Sequence, residues 1–285
     1  MRRFILLPCL ALLLSAASAQ GQSLTFSLFE RYLDSLREEA GIPGLSAAVV
    51  QNGAVVWERG FGRQDVEANV PATPSTPYLL GGLSQTLAST VLLKRCMDES
   101  YAELDDPVRR WVSSYGDDSL TVKHLLSHTN AGGGYGFDLR RFADLTGVFE
   151  QCASMRYPNG LAREILDRLG MVDAVPGVDM ANPSARDRLT FDSARLTQYA
   201  NTLERLARPY KIDSRRRPAR TDSVPNDFDA STGLVASVRD LARFDSALSD
   251  GVLLRRETMQ TAWSPAASGV PSGLGWFVQS YNGEP

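Results

Sequence analysis

The spacing of apolar residues changes along the first part of the chain, and each change predicts a different element. Apolar residues recur at helical spacing over residues 24–40 and stop at Gly41, which predicts a helix that ends there. Two short β-rich runs follow, joined by Asn52 and Gly53, the dipeptide most typical of a tight hairpin turn. A long apolar stretch that starts after a pair of glycines then predicts a buried helix.

Polar residues placed just before apolar runs predict the starts of later helices. Asp106 can cap a helix whose first residue is Pro107, because a proline is tolerated where the first N–H has no partner. Thr121 can cap a short helix in the same way. Ser237 and Asp240 have the spacing of a capping box and precede an amphipathic stretch, so three further helices are expected.

Composition narrows the classes of function. The 285 residues are 43% hydrophobic and 22% charged, which is enough apolar content for one large domain, and no repeat or linker divides them. The formal net charge of -3 leaves no broad basic surface for phosphate groups. Nucleic acid is therefore not an expected partner.

The first residues have the form of a cleavable secretory signal. Two arginines precede an apolar run that is too short for a permanent membrane span, and the small-residue triplet Ala17–Ala19 follows it. We expect cleavage after Ala19, leaving a single domain over residues 20–285. The mature protein is then periplasmic or secreted, with no membrane span.

Two cysteines remain after the expected cleavage, Cys96 and Cys152. A disulfide can persist in an oxidising compartment. Each cysteine, however, lies in an apolar helical context, where a free thiol behaves as a small hydrophobic group. We expect two buried thiols, with a bridge as the alternative.

The order of several segments resembles a known superfamily. After the hairpin and the long helix come the stretches LDDPV, VKHLLSHT, ILDRLGM, GLVASVRDLARF and GLGWFV. This order resembles the serine β-lactamase and penicillin-binding-protein-like superfamily, especially its class C β-lactamase, D-aminopeptidase and esterase branch, from about Gly44 to the end. The resemblance implies an α/β (α+β) fold: an antiparallel sheet flanked by helices, with GLGWFV as a strand, and a mostly helical second region.

The family's first catalytic motif, Ser-x-x-Lys, is replaced in this chain. In the family the lysine takes the serine proton as acylation begins. An ungapped alignment places Gly82 at the serine position and Gln85 at the lysine position, so neither a nucleophile nor a base is present. Ser84 lies about 200° further round the helix and is expected to point away. None of the three lysines has a serine three residues before it.

The second motif, Tyr-x-Asn, is also absent where the resemblance places it. An ungapped alignment puts Phe137 and Leu139 at the two positions, and a gapped one chooses Phe142 and Asp144 instead. The literal match at residues 157–159 falls where the family has a connecting turn, and we interpret it as structural.

The third motif of the family, Lys-Thr-Gly or His-x-Gly, helps to form the oxyanion hole and follows GLGWFV by some tens of residues. The sequence ends at Pro285 before that point. We therefore expect the C-terminal strands of the sheet to be missing. The product is then either a fragment of a longer reading frame or a marginally stable protein.

His124 and His128 lie four residues apart and can share a helical face. A zinc-protease motif requires glutamate directly after the first histidine, and position 125 is leucine. No third ligand is evident. We expect both histidines to support local structure, and we expect no metal and no cofactor.

These observations leave three classes of function. The favoured hypothesis is an exported, catalytically silent family member, which holds a cell-wall peptide or a small molecule in its cleft or none at all. The alternatives are an active serine hydrolase acting on β-lactams, cell-wall peptides or esters, and a non-catalytic interaction module that completes its sheet with a partner's strand.

Overall fold

The computed structural model describes residues 24–221 and 228–279. The expected signal segment, residues 1–19, lies outside the described residues, so its cleavage stays a prediction. Helices and antiparallel strands combine in one fold, which confirms the mixed α/β class. In the part of the chain that the structure describes, no helix has both the length and the hydropathy to cross a bilayer.

The strands are β1 (Gly44–Gln51), β2 (Ala54–Asp65), β3 (Val70–Pro71), β4 (Tyr78–Leu79), β5 (Tyr210–Ile212), β6 (Pro218–Arg220) and β7 (Val235–Ala236). The helices are α1 (24–40), α2 (Ser84–Leu92), α3 (Val122–Leu126), α4 (Leu139–Ala143), α5 (Leu145–Ala153), α6 (Tyr157–Leu161), α7 (Ala185–Thr190), α8 (Ser193–Glu204), α9 (Val238–Ser249) and α10 (Arg256–Ala262). Short π-helical segments at Leu93–Met97 and Ala162–Leu166 continue α2 and α6, and 3₁₀ turns lie at Gly81–Leu83, Val108–Arg110 and Val178–Ala181.

The predicted hairpin is confirmed. β1 and β2 pair antiparallel, with Gln51 opposite Ala54. Asn52 and Gly53 have φ angles of 51° and 72°, the left-handed pair that a two-residue type I′ turn requires. β3 pairs with the other edge of β2, which gives the order β1-β2-β3, and two-stranded sheets join β4 to β7 and β5 to β6.

The helix expected before the hairpin is present and packs on it. The ring of Trp57 on β2 lies 5.8 Å from that of Phe26 and 5.2 Å from that of Phe29, between ring centroids. The Trp57 indole N–H donates to Glu30 Oε1 at 2.9 Å. Helix α1 ends at Gly41, whose φ of 72° is one that glycine adopts without strain.

Helix α2 runs through the main hydrophobic core. Leu87 and Val91 have no exposed surface, and the neighbouring residues of this helix are nearly all buried. The largest side chains packed into the same core come from α4, α5 and α6, namely Phe142, Phe149 and Tyr157. Close packing of this core therefore fixes the position of α2 and of its N-terminus.

Two predicted caps are confirmed. The Thr121 hydroxyl accepts from the His124 N–H, and His124 Nδ1 accepts from the Thr121 N–H at 3.0 Å. The Ser237 and Asp240 pair forms a reciprocal capping box that is completely buried at the start of α9. Both caps follow from local sequence alone.

The helix predicted at Asp106 and Pro107 is wrong. Only the 3₁₀ turn Val108–Arg110 forms, because Pro107 pairs with Thr121 in a β-bridge and the Val108 N–H donates to Leu120 O. Asp106 does not cap a helix at this point; its carboxylate accepts from the Glu103 N–H and from Arg110. Pairing with a distant segment has taken the backbone groups that a helix needs.

The strand predicted at GLGWFV is also wrong. Within residues 271–279 there is only a single bridge, between Ser272 and Phe277. Gly275 has a φ of 89°, and its N–H donates to Leu126 O at 2.8 Å. The segment therefore forms a turn that crosses α2 and contacts α3, whereas a strand would remain extended.

The expectation of two buried thiols is corrected by a disulfide between Cys96 and Cys152, whose Cα atoms are 6.0 Å apart. Each cysteine does lie in an apolar helical region, as expected. Helix α5, however, packs against the end of the α2 segment and brings the two side chains face to face. Local apolarity predicts burial, whereas only the packing of two helices determines that they meet.

Candidate functional site

A cavity of about 380 Å³ opens at the N-terminus of α2. Three segments form its walls: the start of α2, the chain between α3 and α4, and the C-terminal turn. We call it the Gly82 cavity, and its lining residues are Gly82, Leu83, Gln85, Thr86, His128, Phe137, Ser272, Gly275, Trp276 and Phe277.

The structure brings three of the four predicted site residues together. Gly82, Gln85 and Phe137 all line the cavity. A Cβ atom built on Gly82 would lie 4.0 Å from Phe137 Cζ, an ordinary contact, so a side chain at this position would project beside the Phe137 ring. Leu139, the fourth residue, is 40% exposed at the start of α4 and is not part of the lining.

The gapped alternatives to Phe137 and Leu139 lie outside the cavity as well. Phe142 is completely buried and packs against the far side of the His128 ring, with 5.2 Å between centroids. Asp144 precedes α5, and burial together with the negative charge of Asp138 raises the pKa of its carboxyl. Of the aligned candidates for the Tyr-x-Asn positions, Phe137 is therefore the one that faces the cavity.

Gln85 is held by a hydrogen bond to His128, with 3.0 Å between Oε1 and Nε2. The other ring nitrogen, Nδ1, accepts from the backbone N–H of Asp138 at 3.1 Å. Because Nδ1 accepts, the proton of the neutral ring is on Nε2, which donates to Gln85 Oε1. A backbone amide thus determines the histidine tautomer, and the tautomer determines the orientation of the glutamine amide.

The His128 ring is neutral at physiological pH. Burial, followed by the positive charge of Arg141, lowers the pKa of His128 to about 4. The residue is 4% exposed and has a φ of 54°, in the left-handed region. Histidine and glutamine together therefore present no charge to the cavity.

None of the hydroxyl groups around the cavity is paired with a base. Ser84 is buried on the other side of α2, as expected, and its Oγ accepts from the Leu234 N–H at 3.2 Å. Thr86 Oγ1 donates to Leu83 O at 2.9 Å, and Ser272 Oγ donates to Gly273 O at 3.1 Å. Activation of a hydroxyl nucleophile needs an adjacent proton acceptor.

Tyr157 and Asn159, the literal Tyr-x-Asn match, lie within α6 and not in the expected turn. Pro158 is compatible with the helix, because it stands in the first turn, where proline is tolerated. Tyr157 is 2% exposed in the core, stacked on Phe228 at 5.2 Å between ring centroids. Burial raises the pKa of its phenol far above the usual range.

His124 takes part in the Thr121 cap described above, and burial lowers the pKa of its ring. Over residues 24–221 and 228–279, no three or more His, Cys, Asp or Glu side chains are grouped so that they could hold a metal ion.

Sequence reasoning missed the contribution of the C-terminal turn. Ser272, Trp276 and Phe277 form one wall of the cavity, and the Phe277 ring stacks on that of Phe137 with 6.0 Å between centroids. The glycines at 273 and 275 were the available signal, because glycines interrupting a short apolar run indicate a bend as readily as a strand.

Comparison with known proteins gives one family. The family model described as Beta-lactamase matches residues 29–284. The putative penicillin-binding protein PbpX of Bacillus subtilis (strain 168) is 23% identical over 257 residues, which cover 85% of this chain and 63% of that protein. The mitochondrial serine beta-lactamase-like protein LACTB of Mus musculus is 28% identical over 131 residues, 44% of this chain and 24% of that protein. The chain thus spans less than two thirds of either relative.

Solved structures with the same fold include three hydrolase-like or penicillin-binding proteins. The octameric penicillin-binding protein homologue from Pyrococcus abyssi has a TM-score of 0.70 at 19% identity, covering 88% of this chain and 64% of that chain. EstCE1, a hydrolase with promiscuous acyltransferase activity, has a TM-score of 0.67 at 16% identity, with coverages of 86% and 80%. The D-amino acid amidase from Ochrobactrum anthropi SV3 has a TM-score of 0.66 at 18% identity, with coverages of 88% and 80%. Likeness at this level shows the fold.

Proposed function

Because the chain belongs to the Beta-lactamase family, we propose that it is an exported, catalytically silent member whose cleft binds a ligand without forming an acyl-enzyme. The observation that carries this proposal is the start of α2. Gly82 faces the cavity without a nucleophilic atom, and Gln85, at the position of the family lysine, is engaged by His128.

The remaining groups of the cavity support the same proposal. A hydroxyl or a water at Gly82 needs a group that takes up its proton. His128 is neutral, but its Nε2 carries a proton and its Nδ1 accepts from Asp138, so neither nitrogen is free to act as a base. Phe137 in place of the family tyrosine adds an apolar ring and no proton-transfer group.

The ligand class that follows from the family is a cell-wall peptide or a small molecule. The amidase from Ochrobactrum anthropi is described in a complex with D-phenylalanine, a compact molecule with one aromatic ring. A cavity of about 380 Å³ is within the range of small-molecule sites, which begins at about 300 Å³. We propose reversible binding of a molecule of that scale.

Covalent labelling tests the proposal. The purified protein is incubated with a fluorescent penicillin and with a fluorophosphonate, beside an active serine β-lactamase as a positive control. We expect no labelled band for this protein. A stoichiometric adduct mapped to Ser84, Thr86, Ser272 or another serine would show that an activated nucleophile exists and would reject catalytic silence.

Export is a separate part of the proposal. Its support is the signal-like sequence up to Ala19, together with the disulfide between Cys96 and Cys152, a bond that persists in oxidising compartments. Intact-mass measurement of the periplasmic or secreted protein should give a chain that begins at Gln20. Recovery of the full chain from Met1 in that fraction would contradict this part.

A further inference from the structure

The Gly82 cavity has one buried side-chain hydrogen-bond donor without an acceptor among the described residues. Gln85 is 5% exposed, and its Nε2 has no partner. Its Oε1 accepts from His128, so turning the amide round would place two N–H donors against each other. The orientation of the amide is therefore fixed, and the N–H groups of Gln85 Nε2 are the donors that have no acceptor. A buried donor without an acceptor is costly, and a ligand oxygen would relieve that cost.

The side-chain polar atoms of three other lining residues, His128, Thr86 and Ser272, are already engaged. Both nitrogens of His128 are hydrogen-bonded, and the hydroxyls of Thr86 and Ser272 donate to backbone carbonyls. Ser89, a second buried residue of α2 with an unpaired side-chain oxygen, lies against Gly275 and outside the lining. Within the lining residues there is no Asp, Glu, Lys or Arg. Gln85 Nε2 is thus the one buried side-chain donor of the lining that is left for a ligand, and no charged side chain accompanies it.

The rest of the cavity is apolar. The stacked rings of Phe137 and Phe277 form one side, and Leu83 and Trp276 complete the apolar surface. Gly82 leaves the space beside Phe137 open, because it has no side chain to occupy it. This arrangement suits an aromatic or branched apolar group placed beside the two rings.

We infer that the Gly82 cavity binds an uncharged ligand that combines an apolar, preferably aromatic, group with a carbonyl oxygen, and that Gln85 Nε2 donates to this oxygen. The inference rests on the proposed function, because an ester or amide carbonyl held there stays uncleaved only where no activated nucleophile displaces its leaving group. A carboxylate of the same shape is disfavoured, since it would lose its hydration and meet no cationic side chain among the lining residues.

Three probes that share a skeleton test the ligand class. 4-Phenylbutan-2-one supplies a ring and a neutral carbonyl, 3-phenylpropanoate replaces the ketone by a carboxylate, and butylbenzene has no oxygen. We expect the ketone to bind with a Kd on the order of 1 mM, as about ten heavy atoms allow. The carboxylate and the hydrocarbon should bind at least about fivefold more weakly, because neither satisfies the Gln85 donor at low cost. Protein-observed NMR titration of the full chain measures all three.

Two variants locate the binding. Gln85→Glu keeps the shape and an acceptor for His128 but removes the donor, so ketone affinity should fall about tenfold or more. Gly82→Leu should abolish binding by filling the space beside Phe137. Leucine is compatible with folding there, because among the described residues, apart from the local backbone of Gly82, the ring tip of Phe137 is the only atom that a Cβ approaches within 4 Å. Gly116→Leu is the matched control, since a Cβ at that exposed position meets nothing within 4 Å, and it should bind like the unmodified protein.

The inference is overturned if the carboxylate binds as tightly as the ketone, if either Gln85→Glu or Gly82→Leu leaves ketone binding unchanged, or if no probe binds. Those results leave the proposed function standing when labelling by the serine-directed probes is also absent. Labelling of a serine rejects the proposed function itself, whichever probe binds. The two failures are therefore distinguishable.

Discussion

The two ends of the α2 segment differ in what holds them. At its C-terminal end, Cys96 is completely buried and bonded to Cys152 of α5. At its N-terminal end, Gly82 has no side chain and Gln85 has an unused donor at a cavity. The disulfide joins the C-terminal end of the α2 segment to α5, and neither of its cysteines lines the Gly82 cavity at the N-terminal end. The disulfide and the cavity can therefore be perturbed independently.

Among changes at the two ends of the α2 segment, removing the disulfide should have the largest effect on stability. The double variant Cys96→Ala with Cys152→Ala opens a loop with a sequence separation of 56 residues. The free energy of unfolding should fall by about 2–4 kcal/mol, because the unfolded chain regains conformational entropy. Urea denaturation measures the change.

The matched control is reduction of the unmodified protein, which should lower its stability by a similar amount and leave the double variant unaffected. Equal stability of the variant and the oxidised protein would mean that the disulfide at Cys96 does not stabilise the fold.

Acidification should act at the other end, through His128. The unfolded ring titrates near its ordinary pKa of about 6.5, whereas the folded ring titrates at about 4. Between these values the unfolded state binds more protons, so the contribution of His128 to stability is complete above pH of about 6.5 and is lost as the pH falls to about 4. The loss amounts to up to about 3 kcal/mol.

Comparison with His128→Asn isolates this contribution from that of the carboxyl groups, such as Asp144, whose pKa is raised by burial. Urea denaturation at several pH values should show a smaller loss of stability for the variant than for the unmodified protein over this range. Identical pH profiles would contradict a buried, neutral His128.

Restoring two catalytic residues should have the smallest effect. The double variant Gly82→Ser with Gln85→Lys introduces a serine and a lysine at the positions of the family nucleophile and base. Phe137 still lacks a polar group, and His128 still presents its Nε2 proton. Because catalytic groups act as a unit, hydrolysis of β-lactams or esters should stay close to that of the unmodified protein. Chromogenic substrates followed under turnover conditions provide the measurement, and clear turnover would show that other catalytic groups are present.

Local signals predicted much of the fold. Asn52 and Gly53 specified the hairpin, and Thr121 and Ser237 capped helices as expected, because each signal acts within a few residues. Pro107 and Gly275 behaved differently from expectation, since their backbone conformation depends on segments that are distant in sequence. The bridge between Cys96 and Cys152 depends on two helices meeting and has no local signature.

The site was predictable to the extent that the alignment placed its residues. Gly82, Gln85 and Phe137 were located by matching motifs, and the structure brings them into one cavity. The Gln85 contact with His128 joins residues 43 positions apart, and the role of Phe277 depends on a turn that the apolar pattern presents as a strand. Such contacts are consequences of tertiary packing: the glycines at 273 and 275 indicate a bend, but no motif in the sequence identifies the residues that the bend contacts.

Catalytic silence of the Gly82 cavity is tested most simply with an activated ester on the skeleton of the ketone probe. The protein is mixed with p-nitrophenyl 3-phenylpropanoate, and the release of p-nitrophenolate and the intact mass are followed together. We expect no burst above the buffer rate and no mass increase, because an ester held in the cavity meets no activated nucleophile. A stoichiometric burst with an acyl adduct on Ser84, Thr86 or Ser272 would contradict this expectation.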